Sequence, residues 1–371
     1  MANPGRAMAR MVRIDAIDPI EGADRIVAAH VGGWTVVIGK EDFKAGDLAV
    51  FFEIDSFLPS DDERYEKFAE RGEKEMLVNG AAKKGHVLRT ARLRGVYSQG
   101  LLMRPQDVLP SSIPEHAYED MYERKTNLTS LCGVCEYDPI RTTDQGNMHI
   151  LRKYDPWVAP RTNAERIQNV SEDVFALVKK TDYLVSVKVD GTSVTMLDDP
   201  RYQKVRVFSH NNELSVNGGF GEQVYKQAEE QGIVKWLNDH PGITLQMEAC
   251  GPKINGNRLG LKAMRLYIFS AWDTVACKYL DPYRIDDCAL DPACTPELSI
   301  DLNDFATTID LIDYVDGIKA HVTGRLDEGV VVHVLGNGIC TIEEMRKIEG
   351  ELGPQRQMKV ISRKYLLKAK E

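Results

Sequence analysis

A lysine and an aspartate two residues apart are the clearest candidates for chemistry in this sequence. Apolar and polar residues alternate through Val185–Val194 (VSVKVDGTSV), so Lys188 and Asp190 are predicted to point the same way from a strand that ends at Gly191. The pair has two interpretations: a solvated ion pair at a strand end, or a nucleophile that attacks phosphorus because partial desolvation and neighbouring cations lower the pKa of the amine. Lysine suits the second use, since a guanidinium stays protonated in proteins.

Further segments resemble, in the right order, the motifs of the covalent nucleotidyltransferases, the superfamily of ATP-dependent ligases and capping enzymes. Lys188–Gly191 (KVDG) resembles motif I. The other likenesses are to motif Ia at Ser209–Asn211, motif III at Leu245–Gly251, motif IIIa at Leu266–Asp273, motif IV at Asp327–Val331 and motif V at Met358–Leu366. A chance origin is far less probable for this ordered set than for any single member.

The resemblance implies that Lys188 takes AMP from ATP and that three acids hold Mg²⁺ or Mn²⁺, some of them through water. The acids are Asp190, Glu248 and Glu328. Metal and basic side chains are needed because negative charge builds on the phosphates as pyrophosphate leaves. Considered singly, each glutamate is more often a salt-bridge partner at a strand end. The predicted catalytic set is Lys188, Asp190, Glu248, Glu328 and Lys359.

The same resemblance assigns residues to the nucleotide. Phe269 would stack on adenine, although core packing is the usual fate of such a residue, and Lys359 would contact the α-phosphate. Arg161–Val170 (RTNAERIQNV) resembles the strand that approaches motif I, and His210 stands where many relatives have an arginine. Ile361 occupies the second basic position of motif V, which leaves Arg363, Lys364 or Lys368 as substitutes. The predicted nucleotide-binding set is Arg166, Gln168, Val187, Lys188, Gly191, Ser193, His210, Glu248, Phe269, Glu328 and Lys359.

A mixed α and β domain must position these residues. Its predicted strands are Tyr183–Val189, Ser193–Leu197, Val205–Ser209, Thr244–Ala249, Leu266–Ala271 and Gly329–Val332. Its predicted helices are Glu172–Lys180, Glu222–Asn238 and Asp304–Tyr314. The first hundred residues instead predict a small β-barrel, because Trp34–Ile38 and Leu48–Ile54 are rich in β-branched and aromatic residues and are bounded by glycines.

The order of the domains selects among members of the superfamily. DNA ligases and capping enzymes carry an OB barrel after motif V, whereas this sequence ends at Glu371, close behind Lys368. Its N-terminal segments look like the OB domain of a class of nick-sealing RNA ligases. The predicted fold is α+β, with an OB-like RNA-binding barrel in residues 1–110 and a connecting segment in 111–160. Residues 161–371 follow as an ATP-grasp-like nucleotidyltransferase domain of antiparallel sheets with flanking helices.

A basic run lies within the predicted barrel. In HVLRTARLRG, His86, Thr90, Arg92 and Arg94 are predicted to share one side of a strand, which could face phosphates. A solvated strand face without a ligand is the other interpretation. The predicted nucleic-acid contacts are Arg89, Arg92 and Arg94.

Composition and charge restrict the class of protein to which this sequence can belong. A net charge of −9, with 43% hydrophobic and 28% charged residues, is typical of a globular protein and argues against binding nucleic acid through bulk charge alone. The first residues lack a secretory signal, and no stretch reaches the roughly 18 uncharged apolar residues of a membrane span, so a cytoplasmic protein is predicted. The seven cysteines predict reduced thiols, and the Cys132/Cys135 pair alone is too few ligands for zinc.

The function implied by the resemblance is ATP-dependent RNA ligation in three steps. AMP is attached to Lys188, passes to a 5′-phosphate end, and is displaced when an RNA 3′-hydroxyl attacks, most naturally at a nick in a duplex. Two alternatives remain open: a DNA ligase or capping guanylyltransferase, and a non-catalytic OB protein that binds nucleic acid. No protein partner and no membrane partner can be identified from the sequence.

Overall fold

The computed structural model describes residues 6–78, 81–138, 148–160, 164–281, 294–319 and 327–368. The chain forms two units, residues 1–140 with 366–371 and residues 141–365. The predicted connecting segment 111–160 is divided between them. Cys135–Glu136 pairs with a strand of the first unit, and Ile150–Lys153 pairs with a strand of the second.

Short antiparallel strands build the first unit, in agreement with the predicted β-rich domain. They are β1 (Ala9–Arg13), β2 (Ala16–Pro19), β3 (Ile26–Val31), β4 (Trp34–Gly39), β5 (Leu48–Phe52), β6 (Ser56–Pro59), β7 (Lys74–Val78), β8 (Ala81–Val87), β9 (Ala91–Leu93), β10 (Val96–Ser98), β11 (Leu101–Met103) and β12 (Cys135–Glu136). The sheets run β1–β5–β11, β2–β3–β4, β9–β10 and β12–β6–β8–β7. Burial alternates along β4 from the fully buried Trp34, which gives this strand one face in the core. The helices of this unit are α1 (Pro105–Val108) and α2 (Ala117–Glu123).

The basic run at His86–Gly95 does not form the single strand that was predicted. β8 ends at Val87, the backbone of Leu88 exchanges hydrogen bonds with Ser56 and Asp55, and the next strand starts only at Ala91. The break changes the faces: Thr90 is buried, whereas Leu93 is exposed. The predicted sharing of one side by His86, Thr90, Arg92 and Arg94 is therefore wrong.

Two sheets form the second unit. The large sheet runs β13 (Ile150–Lys153), β18 (Asn212–Leu214), β17 (Lys204–Ser209), β16 (Thr192–Asp199), β19 (Ile243–Cys250), β20 (Arg265–Asp273) and β21 (Lys278–Leu280). The small sheet runs β14 (Glu165–Arg166), β24 (Gln357–Ile361), β23 (Gly329–Gly336), β15 (Asp182–Lys188) and β22 (Glu297–Leu298). Every pairing is antiparallel except β14 with β24, which is parallel. The six strands predicted for this domain are confirmed.

Helices cover one face of each sheet and bury its apolar residues. They are α3 (Glu172–Val178), α4 (Gly219–Glu230), α5 (Ile233–Asp239), α6 (Thr308–Val315) and α7 (Ile342–Leu352). A last helix, α8 (Arg363–Lys368), follows β24 and has no buried residue. One apolar core joins the small sheet with α3, α6 and α7, and another joins the large sheet with α4 and α5. The predicted single helix Glu222–Asn238 is wrong, because Gly232 has a φ of +76° and separates α4 from α5.

Two smaller predictions concern membranes and thiols. Among the described helices, none has the length and apolarity required to cross a bilayer. The cysteines of the described segments are free thiols, in agreement with the predicted reduced state. Burial raises the pKa of the Cys132 thiol to about 12, so this residue acts as a packed apolar side chain.

Candidate active site

Lys188 is the last residue of β15 and lies opposite Gly329, the first residue of β23. Because Glu328 precedes Gly329, this pairing brings a carboxylate to the amine: Nζ of Lys188 is 2.7 Å from Oε1 of Glu328. Gly329 allows a close approach of β24, since a Cβ at this position would lie 2.0 Å from the carbonyl oxygen of Val360. The register of two strands thus sets the spacing of the lysine and the glutamate.

A cavity of about 240 Å³ lies against Lys188. Many of the predicted nucleotide-binding residues line it, namely Val187, Lys188, Ser193, His210, Glu248, Phe269 and Lys359. Phe269 is half-buried, so part of its ring remains accessible to a planar ligand. The predicted residues outside this lining are Arg166, Gln168, Asp190, Gly191 and Glu328.

The charge around Lys188 is opposite to the predicted one. Desolvation acts to lower the pKa of the amine, but the carboxylates of Glu328, Glu248 and Asp190 act against it, and the net pKa is raised. The prediction that neighbouring cations lower this pKa is therefore wrong. Without a nucleotide, Lys188 is an ammonium held by acids, so the pKa of its amine must fall before it can act as a nucleophile.

Glu248 completes the acidic side of the cavity. It lies on β19 directly opposite Ser193, and its Oε1 accepts a hydrogen bond of 3.1 Å from the backbone N–H of Gly191. Desolvation raises the pKa of Glu248 to about 8, although Lys188 acts to lower it. Gly191 is required by space, because a Cβ there would lie 2.2 Å from the carbonyl oxygen of Ala249.

Asp190 is held by residues that the sequence analysis did not select. Its Oδ1 accepts a hydrogen bond of 3.0 Å from Asn255, and its Oδ2 accepts bonds from Arg258 Nε at 2.8 Å and from the Tyr365 hydroxyl at 2.9 Å. The Arg258 guanidinium also lies over the Tyr365 ring, 4.5 Å from its centroid. These contacts fix the carboxylate beside the cavity but occupy both of its oxygens.

The three acids predicted to hold a metal ion, Asp190, Glu248 and Glu328, do not form a closed cluster in the structure. Across the segments that the structure describes, no three Asp, Glu, His or Cys side chains are grouped closely enough to hold a metal ion. Glu248 and Glu328 nevertheless both face Lys188, and hard divalent cations prefer such oxygen ligands. Mg²⁺ in phosphate sites usually takes one or two carboxylates and completes its shell with phosphate oxygens and water, so this pair fits a metal carried with a nucleotide.

Arg166 and Gln168 follow the chain segment Arg161–Asn163, which is outside the described residues. Both side chains are buried, and Arg166 on β14 lies in register with Lys359 on β24. Ala164, the first described residue after that segment, lines the cavity instead. A direct contact of either side chain with the adenylate thus stays a prediction. Of the proposed substitutes in motif V, Arg363 is engaged by Asp316, whose carboxylate accepts from its Nε at 2.9 Å.

A buried hydrogen-bond network in the wall of the cavity, where Ser186 and Gln357 belong to the lining, was missed by the sequence analysis. Gln357 Nε2 donates to the carbonyl oxygen of Phe269 at 3.2 Å and to Nδ1 of His333 at 3.1 Å, and His333 Nε2 lies 2.8 Å from the Ser186 hydroxyl. The Phe269 carbonyl can only accept, so Gln357 presents its nitrogen and His333 carries its proton on Nε2. Desolvation lowers the pKa of His333 to about 4, which keeps the ring neutral. Ser186, His333 and Gln357 lie on the neighbouring strands β15, β23 and β24. Their contacts depend on the register between these strands, which the local sequence pattern does not contain.

The predicted nucleic-acid residues lie in the first unit. Arg89 donates to Asp55 at 2.5 Å and lies over the Tyr137 ring, and Arg92 lies over the Tyr97 ring. Arg94 is exposed at the turn between β9 and β10, where its φ is +48°. All three side chains are exposed, so they remain accessible to a polyanion.

Comparisons with known proteins agree with this architecture. A family model described as an OB-fold domain matches residues 8–105, and one described as RNA ligase matches residues 181–344. The structure of Naegleria gruberi RNA ligase with PPi is 28% identical, with a TM-score of 0.75 over 98% of this chain and 99% of that chain. A lysine-to-alanine mutant of that ligase with ATP and Mn is also 28% identical, with a TM-score of 0.76 over the same shares of 98% and 99%. No curated protein matches the chain.

These matches confirm the predicted order of an OB-fold domain and a ligase domain with mostly antiparallel sheets. The range that matches the RNA ligase model contains Lys188, Glu248, Phe269 and Glu328, the residues that the strands bring together at the cavity. The chain thus has an N-terminal OB-fold domain followed by a ligase domain, the architecture of the RNA ligase structures that it resembles, and residues 181–344 of that ligase domain match the RNA ligase family model.

Proposed function

We propose that this protein is an ATP-dependent RNA ligase that repairs breaks in RNA, with nicks in duplexes as its substrates and the cytoplasm as its location. The observation that carries the proposal is the position of Lys188. Its amine lies 2.7 Å from Glu328 and lines the same cavity as Glu248, Phe269 and Lys359. The Naegleria ligase structures with ATP and Mn support ATP and a divalent ion as its cofactors.

In the first step, the neutral amine of Lys188 attacks the α-phosphorus of ATP. A P–N bond forms, the bond from this phosphorus to the bridging oxygen breaks, pyrophosphate leaves, and the amine gives up a proton. A bound Mg²⁺ or Mn²⁺ would neutralise charge on the phosphates and on Glu248 and Glu328, and would weaken their hold on the Lys188 proton. Phe269 offers a surface for the adenine, and Lys359 offers a positive charge for the α-phosphate.

In the later steps the AMP moves to RNA. An oxygen of a 5′-phosphate attacks the same phosphorus, the P–N bond breaks, and Lys188 regains its proton. An RNA 3′-hydroxyl then attacks the 5′-phosphorus, a phosphodiester forms, and AMP leaves. The exposed Arg89, Arg92 and Arg94 of the OB-fold domain are proposed to contact the strand that carries the 3′-hydroxyl.

The first test is covalent labelling of the full chain with ATP labelled at the α-phosphate, in the presence of Mn²⁺ or Mg²⁺. Wild type should acquire label, whereas Lys188→Ala and Lys188→Arg should acquire none, because neither has an amine that can lose its proton. Lys180→Ala, which removes an exposed lysine of the same unit, serves as the matched control and should label normally. Absence of label on wild type, or label retained on Lys188→Ala, refutes the proposal.

A second test separates this proposal from related activities. Label from GTP in place of ATP would identify a guanylyltransferase. A nicked duplex with an RNA 3′-hydroxyl should be sealed, and the same nick with a DNA 3′-hydroxyl should be sealed poorly. Equal or faster sealing of the DNA end would identify a DNA ligase, and RNA binding without any adduct would identify a non-catalytic protein.

A further inference from the structure

A surface of stacked aromatic and cationic side chains lies on the second unit, away from the cavity. Trp157 and Tyr202 are 37% and 42% exposed, so both rings are accessible to a planar ligand. The Arg201 guanidinium stacks on Trp157 at 3.6 Å from the ring centroid, and Arg152 lies 5.1 Å from the Tyr202 ring. This surface, called here the Trp157 surface, consists of Arg152, Trp157, Arg201, Tyr202 and Lys204.

Acids beneath the Trp157 surface hold its cations in place. Asp199 and Glu213 are almost fully buried, with side-chain exposures of 0% and 2%. Asp199 accepts from Nε of Arg201 at 3.0 Å and from Nη2 at 2.7 Å, and Glu213 lies 2.6 Å from Nε of Arg152. The buried Arg206 ties the two acids together. Nη2 of Arg201 also donates to Asp155 at 2.6 Å, and Nη1 of Arg152 donates to the Tyr202 hydroxyl at 3.2 Å. The two arginines are nevertheless 37% and 47% exposed, so their guanidinium groups are held in place and remain accessible from solvent.

This arrangement fits a nucleic-acid strand better than it fits a protein or a small anion. Aromatic faces stack on any base, and guanidinium groups stack on bases and bond to phosphates. The Trp157 surface places aromatic rings and guanidinium groups next to each other. Lys204, whose position in β17 places it on the same face as Arg206, adds a further exposed charge. An acidic peptide would use the cations but would gain little from the two exposed rings.

The surface and the cavity lie on one face of the same sheet. Ser193 lines the cavity, and Asp199 lies six positions further along β16, so both side chains point to the same side, about 20 Å apart at ~3.3 Å per residue. Between them the face is covered by residues 154–160, through hydrogen bonds from Thr244 to Val158 and from Gln246 to Pro160. About 20 Å corresponds to roughly six stacked nucleotides at ~3.4 Å each.

We infer that the Trp157 surface binds the RNA strand that carries the 5′-phosphate, about six nucleotides from its end. The inference rests on the proposed function, because that function brings the 5′-phosphate to the cavity beside Lys188. The remaining nucleotides of the same strand then extend along the face toward Trp157 and Tyr202. The surface would favour RNA strands that are long enough to reach it, whatever their base sequence, since stacking on aromatic rings does not distinguish one base from another.

The test compares binding of 5′-phosphorylated single-stranded RNA of about three and about twelve nucleotides to the full chain. Trp157→Ala/Tyr202→Ala should weaken binding of the longer strand at least about fivefold per stacked base, and should leave the shorter one unchanged. Trp157→Phe/Tyr202→Phe retains the rings and should restore most of the affinity. Lys204→Glu, a change at an exposed side chain, should also weaken binding and should lessen its salt dependence. Equal affinity of all variants for the longer strand overturns the inference.

Two controls make the result specific. Lys226→Ala/Lys235→Ala removes two exposed charges from α4 and α5, which pack on the opposite face of the sheet, and should bind like wild type. In a nicked duplex, a photoreactive base placed about six nucleotides from the 5′-phosphate should crosslink near Trp157. Crosslinking only from the complementary strand or the 3′-hydroxyl strand overturns the assignment of the strand. Failure of wild type to label with ATP refutes the proposed function separately, because labelling requires no RNA.

Discussion

Acidification should destabilise the second unit through one histidine, His333. Its side chain is 3% exposed, and desolvation lowers its pKa from 6.5 to about 4. The unfolded chain therefore takes up a proton near pH 6.5, whereas the folded chain resists until about pH 4. Stability from this group is complete above pH 6.5 and falls as the pH drops toward 4. The full loss is about 3 kcal/mol, at 1.36 kcal/mol per unit of pKa difference.

The measurement is chemical denaturation at pH 7 and pH 5, followed by tryptophan fluorescence. Between these two values His333 should account for about 2 kcal/mol of lost unfolding free energy. His333→Gln keeps a polar group toward Ser186 but cannot titrate, so its loss should be smaller than that of wild type by that amount. His116→Gln, at an exposed position, should behave as wild type. Equal losses for wild type and His333→Gln would mean that the histidine is not held neutral by burial.

Three further substitutions have expected outcomes. Gly191→Ala should reduce labelling by ATP strongly, with a stability loss of about 1–3 kcal/mol, because its Cβ would lie 2.2 Å from the carbonyl oxygen of Ala249; labelling rate and thermal melting report both effects. Phe269→Ala should raise the KM for ATP by roughly tenfold or less, since one aromatic contact contributes about 0.5–1.5 kcal/mol, while Phe269→Tyr should preserve it in steady-state kinetics. Arg206→Met should cost about 3–5 kcal/mol in denaturation experiments, because it leaves two buried carboxylates without their shared cation.

Local patterns predicted the strands well, because alternation of apolar and polar residues reports directly which face is buried. Tyr183–Val189 and Thr244–Ala249 were placed within two residues of β15 and β19. The same rule failed at His86–Gly95, because β8 ends at Val87 and β9 begins only at Ala91, so one alternation does not continue through the whole run. Gly232 could have been interpreted as the end of a helix, since the residue just after a helix often has a positive φ, which glycine adopts readily because it has no Cβ.

The candidate site was predictable as a set of residues but not as an electrostatic environment. The ordered motifs selected Lys188, Glu248 and Glu328, and strand pairing brings them together. The sign of the shift in the pKa of Lys188 depends on distances between side chains on different strands, which no local pattern contains. The residues around Asp190 come from a loop and from the last helix, so only the fold identifies Asn255 and Tyr365 as its partners.

The pairing of Lys188 with Gly329 has a consequence for how such an enzyme can vary. Inserting or deleting one residue in β15 or β23 would shift the side chains on the two sides of the change to opposite surfaces relative to their present pairing. Lys188 and Glu328 would then no longer face each other if the rest of the two strands kept its register. Single-residue length changes in these two strands should therefore be eliminated by selection, while substitutions that keep the alternation are tolerated. Chain length within two short strands is in this sense as much a part of the chemistry as the lysine itself.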